Sequence, residues 1–178
     1  MILLMGLPGS GKGTQGKMLA DEHGMHLISM GELVRMYVTG ERRRQMLAGN
    51  LLDDKEIAAM LDRVLRTMDE DDDDCVLDGF PRTIPQAEWL LGEAKTGRFS
   101  IDHVIYLDVS TDAVVTRLKA RGRLDDREEV IAARFKEYER LTEPVVNWLE
   151  KQGIPVLRID GERSTNVVNR DIVNQLGL

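Results

Sequence analysis

Gly6-Leu7-Pro8-Gly9-Ser10-Gly11-Lys12-Gly13-Thr14 decides how this chain is read. The apolar run Met1–Met5 leads directly into it, and a stretch with helical spacing, Thr14 to Glu22, follows. Clustered glycines let a backbone take conformations other residues avoid and approach a ligand closely. Their N–H groups then converge on an anion, and the helix that follows adds its positive end. Lys12 supplies a mobile point charge for phosphate groups. A merely flexible glycine turn would need neither the lysine nor the strand and helix on either side. In the general motif Ser or Thr comes straight after the lysine, whereas here Gly13 intervenes before Thr14. Thr14 is therefore expected to contact phosphate rather than to ligate a metal ion directly.

Outward from this loop, four further apolar runs mark strands: His26–Ile28, Cys75–Leu77, Val104–Val109 and Ile154–Ile159. Ile57, Leu61, Val64, Leu65 and Met68 recur at steps of three and four, one face of an amphipathic helix. The spacing predicts another helix from Glu129 to Glu150, with Val130, Ile131, Phe135, Tyr138, Leu141, Val145 and Trp148 as its inner stripe. Strands alternating with helices imply βαβ units, hence an α/β fold with a five-stranded parallel sheet and helices on both faces. At 178 residues, with 42% apolar and 31% charged, the chain fits one soluble domain, 1–178, with a real core. No apolar run approaches a membrane span, and the first strand begins at Met1, which leaves no leader segment to expect. Cys75 stands alone, which excludes an internal disulfide and fits a reducing cytoplasm. The net charge of −7 argues against nucleic acid but not against small anions met by a local arginine cluster. The acidic run 69–74 and the triplet Arg42, Arg43, Arg44 read as solvated charge.

The loop continues to Gln15, and Gly-Leu-Pro-Gly-Ser-Gly-Lys-Gly-Thr-Gln resembles the opening of adenylate kinases more than that of general P-loop ATPases. Leu77-Asp78-Gly79-Phe80-Pro81-Arg82-Thr83-Ile84-Pro85-Gln86-Ala87 is similar to the hallmark segment of that family. Ile28-Ser29-Met30-Gly31-Glu32-Leu33-Val34-Arg35 matches more weakly, and Arg123-Leu124-Asp125-Asp126-Arg127-Glu128-Glu129, followed by Arg134, completes the set. The four matches stand in the family's order and span nearly the whole chain. The resemblance implies a P-loop kinase that moves a phosphoryl group reversibly between ATP and AMP, giving two ADP. Such chemistry asks a protein for positioning and charge stabilisation, and the planar fork of arginine suits phosphate oxygens.

By resemblance Lys12, Arg82, Arg121, Arg123 and Arg134 are the catalytic set. Gly9, Ser10, Gly11, Lys12, Gly13, Thr14, Arg117, Arg121 and Arg163 would hold ATP, its base mostly by backbone near 160–163. Ser29, Met30, Arg35, Asn50, Leu51, Leu52, Gly79, Phe80, Pro81, Arg82, Gln86, Arg123 and Arg134 would hold AMP, within a small helical flap at 29–58. Asp78 is expected to organise Mg²⁺ through water, since that ion keeps much of its hydration shell; the alternative is a turn Asp before glycine. Gln86 corresponds to the family's adenine reader, because an amide can both donate and accept. Met30 stands where these enzymes commonly carry Thr, and a thioether cannot replace a hydroxyl hydrogen bond.

Only Gly122 separates Arg121 from Arg123, so the family's lid shrinks to a turn at 121–126 without zinc ligands. Lids exclude water, so this site would work open or borrow cover from a second copy in a homo-oligomer. The rivals are a kinase of UMP or CMP, a nucleotide-binding sensor that has lost turnover, and a P-loop kinase of a non-nucleotide metabolite. The last leaves Gly-Phe-Pro-Arg-Thr unexplained. A sensor would need fewer arginines.

Overall fold

The structure is a computed structural model that describes residues 1–48, 51–68, 74–123 and 126–178. Asn50, most of the acidic run (69–73) and Leu124–Asp125 of the expected lid turn lie outside the described residues.

Five parallel strands, β1 (Ile2–Gly6), β2 (His26–Ser29), β3 (Cys75–Asp78), β4 (His103–Asp108) and β5 (Val156–Asp160), form one sheet in the order β2-β3-β1-β4-β5. The expected α/β architecture is therefore present. All five residues of β1 are buried, as a central strand covered on both faces requires. Leu3 and Met5 face one way, into a core shared with α2 (Met30–Tyr37), α4 (Asp54–Leu65), α5 (Ile84–Lys95) and α8 (Glu143–Lys151). Ile2 and Leu4 face the other way, against α1 (Lys12–His23) and α9 (Thr165–Leu176). A third cluster joins α6 (Thr111–Arg121) to α7 (Glu128–Glu137) through Val114, Leu118, Ile131 and Phe135. The short α3 (Gly40–Leu47) has no buried residue. Its Arg42 and Arg44 form surface ion pairs with Glu56 (2.5 Å) and Glu41 (3.1 Å), as solvated charges do. Among the described residues no helix is long and apolar enough to cross a membrane.

Two expectations need correction. The last strand begins at Val156, not Ile154, because the Ile154 N–H still bonds back to the Leu149 carbonyl (3.2 Å) as the exit of α8. The helix expected over 129–150 is interrupted by a π turn, Tyr138–Thr142, between α7 and α8. A π turn admits about one extra residue. From its last residue onward the buried positions are Thr142, Val145, Val146 and Leu149, while Val130, Leu141 and Trp148, expected inside, are only half buried.

Strand order reverses at β1, so the loops leaving the C-terminal ends of β1, β3 and β4 bound a crevice where open α/β sheets take ligands. Register brings Asp78 level with Leu4 and Ser29, which places its carboxylate at that crevice.

Candidate active site

A cavity of about 870 Å³ opens over the carboxyl ends of β1 and β3. Its floor is the glycine loop. Gly11 caps α1 with φ 107°, a left-handed conformation, so α1 starts at Lys12 with its N–H groups turned to the cavity. At Gly9 a Cβ would stand 2.7 Å from Leu118 Cγ, so only glycine lets the loop lie against α6. Ser10 is buried, whereas Gly13 and Thr14 are exposed on the cavity floor.

Lys12 folds back over its own loop, donating to the carbonyls of Gly6 (2.7 Å) and Leu7 (2.8 Å). Burial pulls its pKa down to about 8, Asp78 pulls the other way, and Arg82, Arg134 and Arg121 add to the lowering. Between about 8 and the ordinary 10.5 the folded chain thus binds fewer protons than the unfolded one. The burial penalty is complete below pH 8 and relieved as pH rises towards 10.5. It amounts to at most about 3 kcal/mol, since the ammonium also opens on the cavity. Polyphosphate bound beside Lys12 would raise its pKa again. Nucleotide binding above pH 8 should therefore take up close to one proton per chain, read as a buffer-dependent binding enthalpy at about pH 9 and absent in Lys12→Met. Equal enthalpies in buffers of different ionisation heat would contradict this.

The arginines approach from three directions. Arg82 is held by the Gly79 carbonyl (Nε, 2.9 Å), and Thr142 of the π turn donates to the Arg82 carbonyl (2.9 Å). Burial lowers the Arg82 pKa and Asp78 opposes that, yet a guanidinium stays ionised in either case. Arg121, the last residue of α6, makes a two-pronged contact with Asp126, Nε to Oδ2 at 2.9 Å and a terminal nitrogen to Oδ1 at 2.6 Å. Arg134 of α7 reaches the same carboxylate at 3.6 Å, and the Arg123 N–H donates to it at 3.0 Å. Burial disfavours the Asp126 carboxylate, but the bonds from Arg121 and the Arg123 N–H outweigh it and hold its pKa below the usual range. The Arg123 side chain stands exposed at the rim. Arg117 ties the floor to the β5–α9 loop, donating to the carbonyls of Ser10 (3.2 Å) and Gly161 (2.8 Å). Arg163 lines the far side, paired with Asp160 (3.1 Å) and Asp171.

Opposite the floor, Ser29, Met30 and Arg35 line the cavity from β2 and α2, and Leu51 and Leu52 from the segment before α4. Gly79, Phe80, Pro81 and Gln86 close the wall between β3 and α5. Every site residue expected from sequence lines this one cavity, apart from Asn50, which lies outside the described residues. Sequence reasoning missed Asp126 and Thr142 as parts of the site. The doublet Asp125-Asp126 was the signal for the first. The second gave no signal, being a polar residue beside Leu141 in a stretch whose apolar residues marked the expected inner stripe.

An adenylate kinase family model matches residues 4–154. The chain is 36% identical to an adenylate kinase of Nitrobacter hamburgensis, over 98% of this chain and 91% of that protein. It is 41% identical to one of Mycobacterium sp. (strain MCS), over 82% and 83%. With one of Corynebacterium aurimucosum it shares 34% identity over 98% of both chains. With a phosphate loop beneath a converging arginine cluster, and these similarities running nearly end to end, the chain belongs to the adenylate kinase family.

Proposed function

We propose that this chain catalyses reversible phosphoryl transfer from ATP to AMP, giving two ADP. The observation that carries the reading is the convergence of Lys12, Arg82, Arg121 and Arg134 on one cavity between the glycine loop and the α2–α4 wall. ATP would lie along Gly9–Thr14, with Arg117 and Arg163 on its nucleoside side. AMP would lie under a flap formed by 29–58, its phosphate on Arg35 and Arg82, with Arg123 and Arg134 near it. An AMP phosphate oxygen forms a bond to the γ-phosphorus as the bond from that phosphorus to the β–γ bridging oxygen breaks. The nucleophile is already anionic, so no side-chain base is needed. Negative charge spreads over the transferring group, and cations fixed in place before the reaction stabilise it without reorganising.

Members of this family use Mg²⁺ with ATP, and the residues here fit it. The Asp78 carboxylate stands over the loop, Oδ2 lying 3.5 Å from where a Cβ of Gly13 would be, and it accepts no hydrogen bond from the described residues. It would hold the hydrated ion through water; the ion, when bound with ATP, neutralises phosphate charge. Initial rates of diphosphate formation with AMP, CMP, UMP, GMP and dTMP test the function. AMP should be preferred by a wide margin, and a preference for a pyrimidine would overturn the reading. The two arginines joined by Gly122 leave little chain to fold over ATP, so the proposal includes cover from a second copy. Specific activity should then fall on dilution as light scattering reports dissociation; constant activity in a monomer removes that part alone.

A further inference from the structure

Gln86 is almost fully buried on α5, and both ends of its amide are engaged. Its Oε1 accepts from the Arg82 N–H at 2.7 Å, and its Nε2 donates to Asp54 Oδ1 at 2.8 Å. A backbone N–H can only donate and a carboxylate only accept. The amide is thus oriented by chemistry. Rotated by half a turn, it would set its NH₂ against the Arg82 N–H and its oxygen against the Asp54 carboxylate, losing two hydrogen bonds and leaving buried groups unpaired.

We propose that Asp54, through this contact, determines which monophosphate base the site accepts. The inference rests on the reading that the AMP base meets Gln86. In the locked orientation the amide keeps one acceptor site on Oε1 and one hydrogen on Nε2, side by side in fixed order. That pair complements an edge offering an amino hydrogen beside an unprotonated ring nitrogen, as adenine does. The reverse edge, a ring N–H beside a carbonyl oxygen, as in hypoxanthine, guanine or uracil, needs the rotated amide. Met30, lining the same cavity, offers no hydroxyl to soften the choice. Asp54 acts through Gln86, so it is a positioning residue. It stands at the first residue of α4, so the contact also ties Gln86 to that helix.

AMP and inosine monophosphate differ at this edge alone, so the ratio of their kcat/KM values isolates the effect. Asp54→Asn keeps the shape but can present either a donor or an acceptor to Gln86. We expect the AMP-to-IMP ratio to fall about tenfold or more, mostly through KM, with kcat for AMP at saturation little changed. Asp54→Ala should move the ratio the same way and serves if the first variant folds poorly. Asp53→Ala is the control. Asp53 caps α4, accepting from the N–H groups of Lys55 and Glu56 without touching Gln86. A general loosening of α4 would lower both substrates together in that variant and leave the ratio alone. Gln86→Leu tests the underlying reading. If it leaves the ratio intact, Gln86 does not meet the base and that reading fails. If it collapses the ratio while both Asp54 variants preserve it, the role of Asp54 alone is wrong.

Discussion

Lys12→Met is expected to lower turnover by about 10²–10³-fold while leaving the fold intact. The lysine is the one ammonium seated on the phosphate loop itself, surrounded by protein and held near the cavity floor by the carbonyls of Gly6 and Leu7. A bound polyphosphate would offer this ammonium better partners than two neutral carbonyls, so the charge is poised to transfer its bonds to the substrate. Methionine has similar reach and no charge. Its effect on stability should run opposite to its effect on rate. Removing a desolvated ammonium relieves a penalty of at most about 3 kcal/mol at neutral pH, and the two carbonyls it leaves can be hydrated from the open cavity. Thermal unfolding beside steady-state kinetics separates the two. A folded variant of near-normal rate would remove the phosphate-loop assignment; one that is inactive and much less stable would mean that Lys12 is structural.

Asp126→Ala should be the most damaging change away from the phosphate loop, costing about 10²-fold or more in kcat/KM and about 2 kcal/mol in stability. One carboxylate orients Arg121 through two bonds and draws in Arg134, while accepting the Arg123 N–H. Without it two guanidinium groups lose their shared counter-charge and repel each other across the transfer site. The stability loss stays below that of a fully buried pair because Arg121 keeps 30% of its side chain exposed. Since its pKa is depressed in the fold, the contribution of Asp126 is complete at neutral pH and is lost as pH falls through the acidic range. The difference in stability between wild type and variant should therefore narrow on acidification, as chemical denaturation at neutral and acidic pH would report. A difference that stays constant would place the effect in packing instead of charge.

The fold and most of the candidate site were legible in sequence for a local reason. Lys12, Asp78 and Arg82 sit at or beside the end of a strand or the start of a helix, where the chain reverses and where turn chemistry, phosphate chemistry and motif spacing coincide. Features that depend on partners far along the chain were not legible. Asp54 gains its role from a glutamine thirty-two residues away, and no local pattern links them. Thr142 reaches the Arg82 carbonyl across sixty residues, and no local pattern links the two. Strand ends were misjudged where a helix exit competes for the same residues, as Ile154 does for α8.

That wide turn at Tyr138–Thr142 works as a gearbox within a single rod. Upstream, the helix addresses α6 and the arginines; downstream it addresses the sheet and α5. A rod of uniform winding must serve both with one phase, so refining the packing of either half would drag the other out of mesh. One residue of slack frees them. Substitutions around Val145 and Leu149 can then accumulate for the sake of the core without rotating Arg134 away from Asp126. Conversely, trimming one residue from the turn, even the exposed Arg140, would re-clutch the halves and force one of them to lose its engagement.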